Sequence, residues 1–234
     1  MKIAIRTLFL TLAAIGGLAA CRETSRLPAP KLAGSVPLTI PVVSTDTAKQ
    51  YLNYARTRAS TAALALLAPA TRPVYEFTFD LDNTRDKRVQ TVEVYKSFKR
   101  IGSTGTFFGN RVLVGAYNSF PATVSVNSQD LLTDLQRIIY PEPPSPPTPY
   151  LLALKASNPA ASNIQVQKND AVVFTFEYIL DDGSRVVLTP IKYVTVGASP
   201  GGTPPAVTSV PVLATTTQVN APYAIEAIVR DPIK

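Results

Sequence analysis

The chain of 234 residues contains no histidine, no tryptophan and only one cysteine, Cys21. Without histidine it has no Ser-His-Asp or Cys-His nucleophilic site and no His-ligated zinc or haem centre. With one cysteine it cannot form an intrachain disulfide bond. We therefore expect a protein that is not an enzyme, with no catalytic residues, no metal site and no cofactor.

Charged residues are few and are spread along the chain. Lys and Arg together number 23, and Asp and Glu together number 16, so the formal net charge is +7. The densest basic spots are Asp86-Lys87-Arg88 and Lys99-Arg100. Because nucleic-acid binding requires a basic patch or stripe, we expect no nucleic-acid partner.

A charged start and a short apolar run predict a cleaved secretory signal over residues 1–20. Lys2 and Arg6 precede an apolar run of about 14 residues that ends at Ala20. As a helix that rises ~1.5 Å per residue, this run spans roughly 20 Å and is too short to cross a ~30 Å hydrocarbon core. Residues 21–35 then predict a flexible tether, followed by one domain over 36–234.

The residues Leu18-Ala19-Ala20-Cys21 resemble the lipobox of bacterial lipoproteins. In that family the cysteine thiol receives a diacylglycerol, the signal is cut just before the cysteine, and the new α-amine is acylated. The resemblance implies a membrane anchor on Cys21, and two or more acyl chains anchor stably. In some members of that family an aspartate directly after the lipidated cysteine retains the protein in the inner membrane. Arg22 occupies that position here, so the resemblance favours the outer membrane, on its periplasmic or cell-surface face. The alternative is an ordinary secretory signal after which Cys21 is a leftover residue.

Alternating apolar and polar residues predict a mainly β protein. Strands are predicted over 75–81, 89–98, 112–117, 122–126, 151–156 and 223–229, with an edge strand within 36–43. The sequence also predicts a hairpin over 172–188 that turns at Asp181-Asp182-Gly183. Many short strands separated by turns predict a single immunoglobulin-like β-sandwich with one or two short helices.

Two stretches have helical spacing, and two are rich in proline. Residues 46–67 favour a helix capped by Thr45 only slightly over extended structure, so both interpretations stay open. A second helix is predicted from a cap at Asn127 or Ser128 through Ile139. The proline-rich stretches 141–149 and 199–211 predict loops, and 141–149 is interpreted as a stiff spacer rather than a ligand for an aromatic groove.

The segments Phe77-Thr78-Phe79 and Phe174-Thr175-Phe176 repeat one pattern. They indicate either two copies of a domain or two core strands of a single sandwich that face alike. We prefer the second interpretation because no other segment repeats.

Candidate binding residues are two aromatic side chains. Phe107 and Phe108 lie between glycines in a predicted loop over 102–109 and are the candidate ligand-binding pair, with ordinary packing as the alternative. Acidic residues offer weaker candidates. Residues 80–86 place oxygen ligands as calcium loops do but lack the glycine and the distal glutamate. Glu177 with Asp181 and Asp182 is interpreted as part of a turn rather than as a hydrolytic pair.

The order of several segments resembles a known group of bacterial lipoproteins. The segments are residues 92–98, 111–114 and 119–124, which lead into the predicted helix, and then 169–178 with its Asp-Asp-Gly turn. This order is similar to lipoproteins with an immunoglobulin-like or fibronectin-like domain that accompany outer-membrane uptake systems of the SusC/SusD type. The resemblance implies a non-enzymatic accessory module that binds a transporter complex, a glycan or a peptide. The alternative is a structural or adhesive component of the cell envelope.

Overall fold

The computed structural model of the chain describes residues 39–62, 68–81, 88–102, 105–139, 147–152, 166–197, 208–214 and 224–232. By internal contacts the chain divides into residues 1–35 and 36–234, and every described residue belongs to the second unit. The predicted signal, the lipobox and the tether lie outside the described residues.

The described residues form thirteen strands and two short α-helices. In chain order the strands are β1 (Val42–Val43), β2 (Leu52–Asn53), β3 (Val74–Phe79), β4 (Val89–Gly102), β5 (Gly105–Tyr117), β6 (Ala122–Asn127), β7 (Gln136–Ile139), β8 (Thr148–Leu151), β9 (Ala171–Leu180), β10 (Arg185–Val187), β11 (Ile191–Val196), β12 (Thr208–Leu213) and β13 (Ala224–Arg230). The helices are α1 (Tyr54–Ala62) and α2 (Ser128–Leu132), and 3₁₀ turns span Thr47–Lys49 and Pro69–Thr71.

These strands pair into three sheets. A small sheet has the order β1-β3-β6, and a two-stranded sheet joins β7 to β8. The large sheet has the order β11-β12-β5-β4-β9-β13-β2, with β10 paired to the end of β9. The described pairs are antiparallel except for β13 and β2, which run parallel.

The small and large sheets pack together through aromatic side chains. In β3 the residues alternate between half-buried and buried, as a strand with one face on a core requires. The Phe77 ring lies 5.0 Å from that of Phe174, and the Phe79 ring lies 5.5 Å from that of Phe176. Tyr75 stacks on Phe174 at 5.7 Å. The two Phe-Thr-Phe segments therefore face each other in one core. The prediction of a mainly β sandwich with short helices is confirmed, and the narrower immunoglobulin-like assignment stays a prediction.

The hairpin predicted over 172–188 is confirmed. Strand β9 pairs with β10 so that Tyr178 lies opposite Val186. Gly183 in the turn has a φ of +78°, a conformation that glycine adopts without steric cost. The Asp182 carboxylate accepts the Ser184 backbone N–H at 2.9 Å, as expected of an aspartate in a tight turn.

The helix predicted through Ile139 is wrong beyond Leu132. Its cap is confirmed, because the Asn127 side chain accepts the N–H groups of Gln129 and Asp130. The chain then leaves the helix, since Asp134 has a φ of +64°. Strand β7 follows, so apolar spacing that matches a helix is divided here between a helical turn and a strand.

The loop predicted over 102–109 is wrong for Gly102, the last residue of β4, and for residues 105–109, which belong to β5; residues 103–104 lie outside the described residues. Gly102 pairs with Gly105 at the end of a long hairpin between β4 and β5. Gly109 is required by close approach, because a Cβ atom there would lie 1.8 Å from the Gln136 carbonyl oxygen. Glycines that suggest a loop in the sequence therefore permit strand packing in the fold.

The proline-rich loops are wrong over 148–149 and 208–211, where β8 and β12 form. Ala214 donates its N–H to the Pro190 carbonyl at 2.9 Å, so Ala214 is a hydrogen-bonded position of the ladder between β11 and β12. Hydrogen-bonded positions alternate along a strand, so the nitrogen of Pro211 points away from β11 and no hydrogen bond to β11 is lost.

The ambiguous stretch 46–67 contains a helix, but the helix begins at Tyr54 rather than after Thr45. Asp46 instead caps the 3₁₀ turn by accepting the Ala48 N–H. The predicted edge strand is confirmed only as β1, and residues 63–67 lie outside the described residues.

Candidate functional site

A groove of about 410 Å³ opens between β5 of the large sheet and β6 of the small sheet. Its lining is apolar on the β5 side and mixed on the β6 side. The lining residues are Lys96, Leu113, Val114, Tyr117, Thr123, Val124, Ser125, Val126 and Asp130. Leu113 lies opposite Tyr95, so its side chain, 51% exposed, points to the outer face of the large sheet, whereas the half-buried Val114 packs against the core beside the groove.

Both strands are sheet edges along this groove. Strand β6 is the last strand of the small sheet. Strand β5 pairs with β12 only where Asn110 lies opposite Val212. Within the described parts of the chain, no strand pairs with β6 opposite β3, or with residues 111–117 of β5 opposite β4. The groove is therefore bounded by two open strand edges.

The backbone of β6 determines what the groove presents. Ser128 donates its N–H to the Pro73 carbonyl at 2.8 Å, and the register places Tyr75 opposite Val126. Because hydrogen-bonded residues alternate along an antiparallel ladder, Val126 and Val124 bond to β3. The N–H and C=O groups of Thr123 and Ser125 consequently point into the groove.

The side chains of Thr123 and Ser125 are used elsewhere. The Thr123 hydroxyl lies 3.0 Å from the Thr78 hydroxyl on the outer face of the small sheet. The Ser125 hydroxyl bonds Glu76, which helps the Lys49 ammonium to hold the pKa of that carboxyl below its usual value. These two residues thus contribute backbone rather than side chains to the groove wall.

Lys96 forms hydrogen bonds with the backbone at the end of α2, beside the groove. Its ammonium group donates to the Asp130 carbonyl at 2.5 Å and to the Thr133 carbonyl at 2.9 Å. These oxygens lie at the end of α2, where a cation is favourable. Burial raises the pKa of the Tyr117 phenol, so this lining residue is neutral across the physiological range.

A charged cluster occupies the opposite face of the large sheet. The register of β4 and β9 places Glu93 directly opposite Glu177. Two like charges so close would repel, but Glu177 accepts hydrogen bonds from both Arg111 and Arg185. Arg185 also donates to Glu93 at 2.6 Å. The two guanidinium groups therefore balance the two carboxylates.

Tyr95 completes this cluster. Its hydroxyl donates to Glu93 at 2.7 Å, and the Arg111 guanidinium carbon lies 3.6 Å from the centre of its ring. Hydrogen bonds from Arg185 and then Tyr95 hold the pKa of Glu93 below its usual value. Burial lowers the pKa of Arg111, although the neighbouring Glu177 opposes this. The cluster ties together strands β4, β5, β9 and β10.

A second buried ion pair joins the end of β4 to the residues before β9. The Arg100 Nε atom lies 2.6 Å from Asp170 Oδ1, and the other carboxylate oxygen accepts the Gln167 backbone N–H at 2.6 Å. Asp170 is 2% exposed. This pair fixes the loop that leads into the central strand.

Phe107 and Phe108, the predicted ligand-binding pair, lie next to each other in β5. Neighbouring residues of a strand point to opposite faces, so the sheet does not bring the two rings to one surface. Phe108 is 8% exposed and packs with Val173, Leu213 and Ala224, whereas Phe107 is half-buried. Their role in ligand binding stays a prediction.

The remaining sequence candidates fall into two groups. Cys21 and the lipobox residues Leu18, Ala19 and Ala20 lie outside the described residues, as does most of the acidic segment over 80–86. At the hydrolytic alternative, Glu177 with Asp181 and Asp182, the Glu177 carboxylate is already bonded to Arg111 and Arg185.

The described residues contain no group of three or more cysteine or acidic residues arranged to hold a metal ion. No helix within these ranges is long and apolar enough to span a membrane.

The groove was missed by the sequence interpretation, although β6 carries a usable signal. Residues 122–126 alternate apolar and small polar side chains and contain no charge and no proline. Such a strand lacks the features that usually protect a sheet edge. Comparison with protein-family models, curated proteins and solved structures gives no match to this chain. Its function must therefore be inferred from its own residues.

Proposed function

We propose that this chain is a lipoprotein of the outer membrane, held by lipid on Cys21, and that its β-sandwich is a binding module without catalytic activity. It serves as an accessory component of a nutrient-uptake complex. The lipobox Leu18-Ala19-Ala20-Cys21 supports the anchor. The observation that carries the binding role is the groove between β5 and β6, which combines half-buried apolar side chains with open backbone groups.

The charged clusters also support binding rather than catalysis. Glu93, Glu177 and Asp170 are each bonded to arginine side chains that tie strands together. A general acid or base must instead reach a substrate proton. Turnover of any substrate in a hydrolase panel by the purified protein would overturn this part of the proposal.

The anchor is tested by Cys21→Ser in the full-length chain. We expect the wild-type protein to partition into the detergent phase and to carry acyl chains by mass spectrometry. The variant should lack the acyl chains and remain uncleaved, because serine has no thiol for the thioether. Ser25→Ala is the matched control and should behave as wild type. A Cys21→Ser protein that still carries acyl chains, or is still cut before residue 21, contradicts the anchor.

The binding role is tested by cross-linking and affinity purification of the tagged full-length protein from its own membranes. We expect an outer-membrane transporter in stoichiometric amount. Val114→Asp places a charge in the groove and, in protein shown to be folded by circular dichroism, should reduce this recovery, whereas Tyr193→Asp should not. Tyr193 is an exposed large side chain, at 74%, on β11 and does not line the groove. Equal recovery of wild type and folded Val114→Asp excludes the groove, and no transporter at all favours the structural or adhesive alternative.

A further inference from the structure

We propose that the groove between β5 and β6 binds an extended peptide segment of a partner protein, which joins the small sheet as a fourth strand beside β6. The inference rests on the binding role proposed above and names the chemistry of the partner. An extended peptide that adds to a sheet edge gains affinity from main-chain hydrogen bonds and specificity from alternate side chains.

The first support is the direction of the backbone groups in β6. Thr123 and Ser125 each turn one N–H and one C=O into the groove, as the register with β3 requires. Together they offer four main-chain hydrogen bonds in the spacing of a strand. A globular ligand would leave part of this row unpaired, whereas an extended backbone matches it.

The second support is that β6 lacks the protection found on other edges of the fold. Sheet edges are usually shielded by charge, by proline or by short length. Strand β1 has only two residues, and β11 carries Lys192. Strand β6 has six residues with no charge and no proline. Its open edge is therefore suited to pairing with another strand.

Strand β5 is the less suitable of the two edges. Its pairing with β4 shifts register between Val94 and Tyr95 and again between Ser97 and Lys99. Such bulges bend a strand and disturb the regular row of backbone groups that a partner needs. We therefore assign the new strand to β6 and the apolar wall to β5.

The wall of the groove sets the side-chain pattern of the peptide. Every second peptide residue would face the half-buried side chains of Val114 and Tyr117, so we expect apolar residues at alternate positions. Lys96 is buried and turned towards the carbonyls of α2, so the exposed charged residue that lines the groove is Asp130. A lysine or arginine at the matching position of the peptide would complement that carboxylate.

The test uses the full-length protein in detergent and a display library of linear ten-residue peptides. Selected peptides should alternate apolar and polar residues. Ser125→Pro removes one groove-facing N–H, and proline is tolerated where that group points away from the ladder. We expect it to weaken peptide binding roughly tenfold or more, the cost of hydrogen bonds left unmade. Ser125→Ala loses the same hydroxyl but keeps the N–H, so it should bind like wild type.

Hydrogen exchange on the wild-type protein gives a second readout that does not depend on the variant. Without peptide, the Thr123 and Ser125 amides should exchange faster than the Val124 and Val126 amides, and added peptide should slow them. Protection of all four in the protein alone would mean that another segment of this chain fills the groove and would overturn the inference. Equal binding of the peptide by folded Ser125→Pro would also overturn it. In that case, loss of transporter recovery in Val114→Asp would still support the broader binding role.

Discussion

The ring of Phe77 lies 5.0 Å from the ring of Phe174, across the interface between the small and large sheets. Both side chains are fully buried, and each also contacts a second aromatic ring of the same core. The two sheets share no described strand pairing, so this aromatic layer is a main source of the stability that joins them.

Truncating this layer should therefore be costly. Phe174→Ala removes a buried ring and leaves a cavity, for which we expect a loss of about 3–5 kcal/mol in the free energy of unfolding. Urea unfolding followed by circular dichroism measures the loss. Tyr193→Ala, on an exposed edge strand, is the control and should leave stability nearly unchanged. If Phe174→Ala loses as little stability as Tyr193→Ala, the result contradicts the packing described.

Gly109→Ala tests the close approach of β5 and β7. The new Cβ atom would lie 1.8 Å from the Gln136 carbonyl oxygen, so the backbone must move. We expect a loss of about 1–3 kcal/mol, typical of overpacking, in the same unfolding experiment. At Gly115 the nearest atom is the Tyr117 hydroxyl oxygen at 3.3 Å, which belongs to a side chain able to shift. Gly115→Ala should cost clearly less, and equal losses would contradict the assigned contact.

We expect the buried ion pair of Arg111 and Glu177 to contribute more to stability than an exposed ion pair. Each side chain is 5% exposed. Glu177→Gln leaves the buried guanidinium without its carboxylate, for which we expect a loss of about 3 kcal/mol. Asp231→Asn breaks the ion pair with Lys168, whose two side chains are more than half exposed, and should have no measurable effect. Thermal unfolding of both variants compares the two pairs, and similar shifts would show that burial is not the deciding factor.

The lowered pKa of Glu93 predicts acid sensitivity of the fold. Because the folded state favours the ionised carboxylate, the contribution is complete above the unfolded value, about pH 4.3, and is lost as the pH falls through the lower folded value. We expect the free energy of unfolding to decrease below about pH 4 and to decrease less steeply in Glu93→Gln. Glu76, whose pKa is lowered by Lys49, should sustain part of the slope in that variant. Parallel pH profiles of the two proteins would contradict the role of Glu93.

Local patterns were enough to predict several elements. The alternation in Tyr75, Phe77 and Phe79 identifies one face of a strand, and the same pattern in β9 identifies its counterpart. The Asp181-Asp182-Gly183 turn follows from residue types whose backbone preferences are strong. Each of these features depends on neighbours within a few positions, so one sequence suffices.

Features that depend on distant neighbours were missed. The helix after Asn127 stops at Leu132, and the next apolar residues become buried through β7 instead. Pro211 lies within β12 because its nitrogen points away from β11, a fact that requires the register. Phe107 and Phe108 were expected in a loop, yet β5 extends back to Gly105 because β4 pairs with it that far.

The sequence by itself determined the β content, the core faces and the lack of any imidazole, because composition and period-two alternation are local properties. Only the tertiary structure decided that β5 and β6, which belong to different sheets, border one groove and that Thr123 and Ser125 direct backbone groups into it. It likewise decided that Glu93 and Glu177 meet between two arginines. Strand order and register set these relationships, and both arise from pairing between residues far apart in the chain.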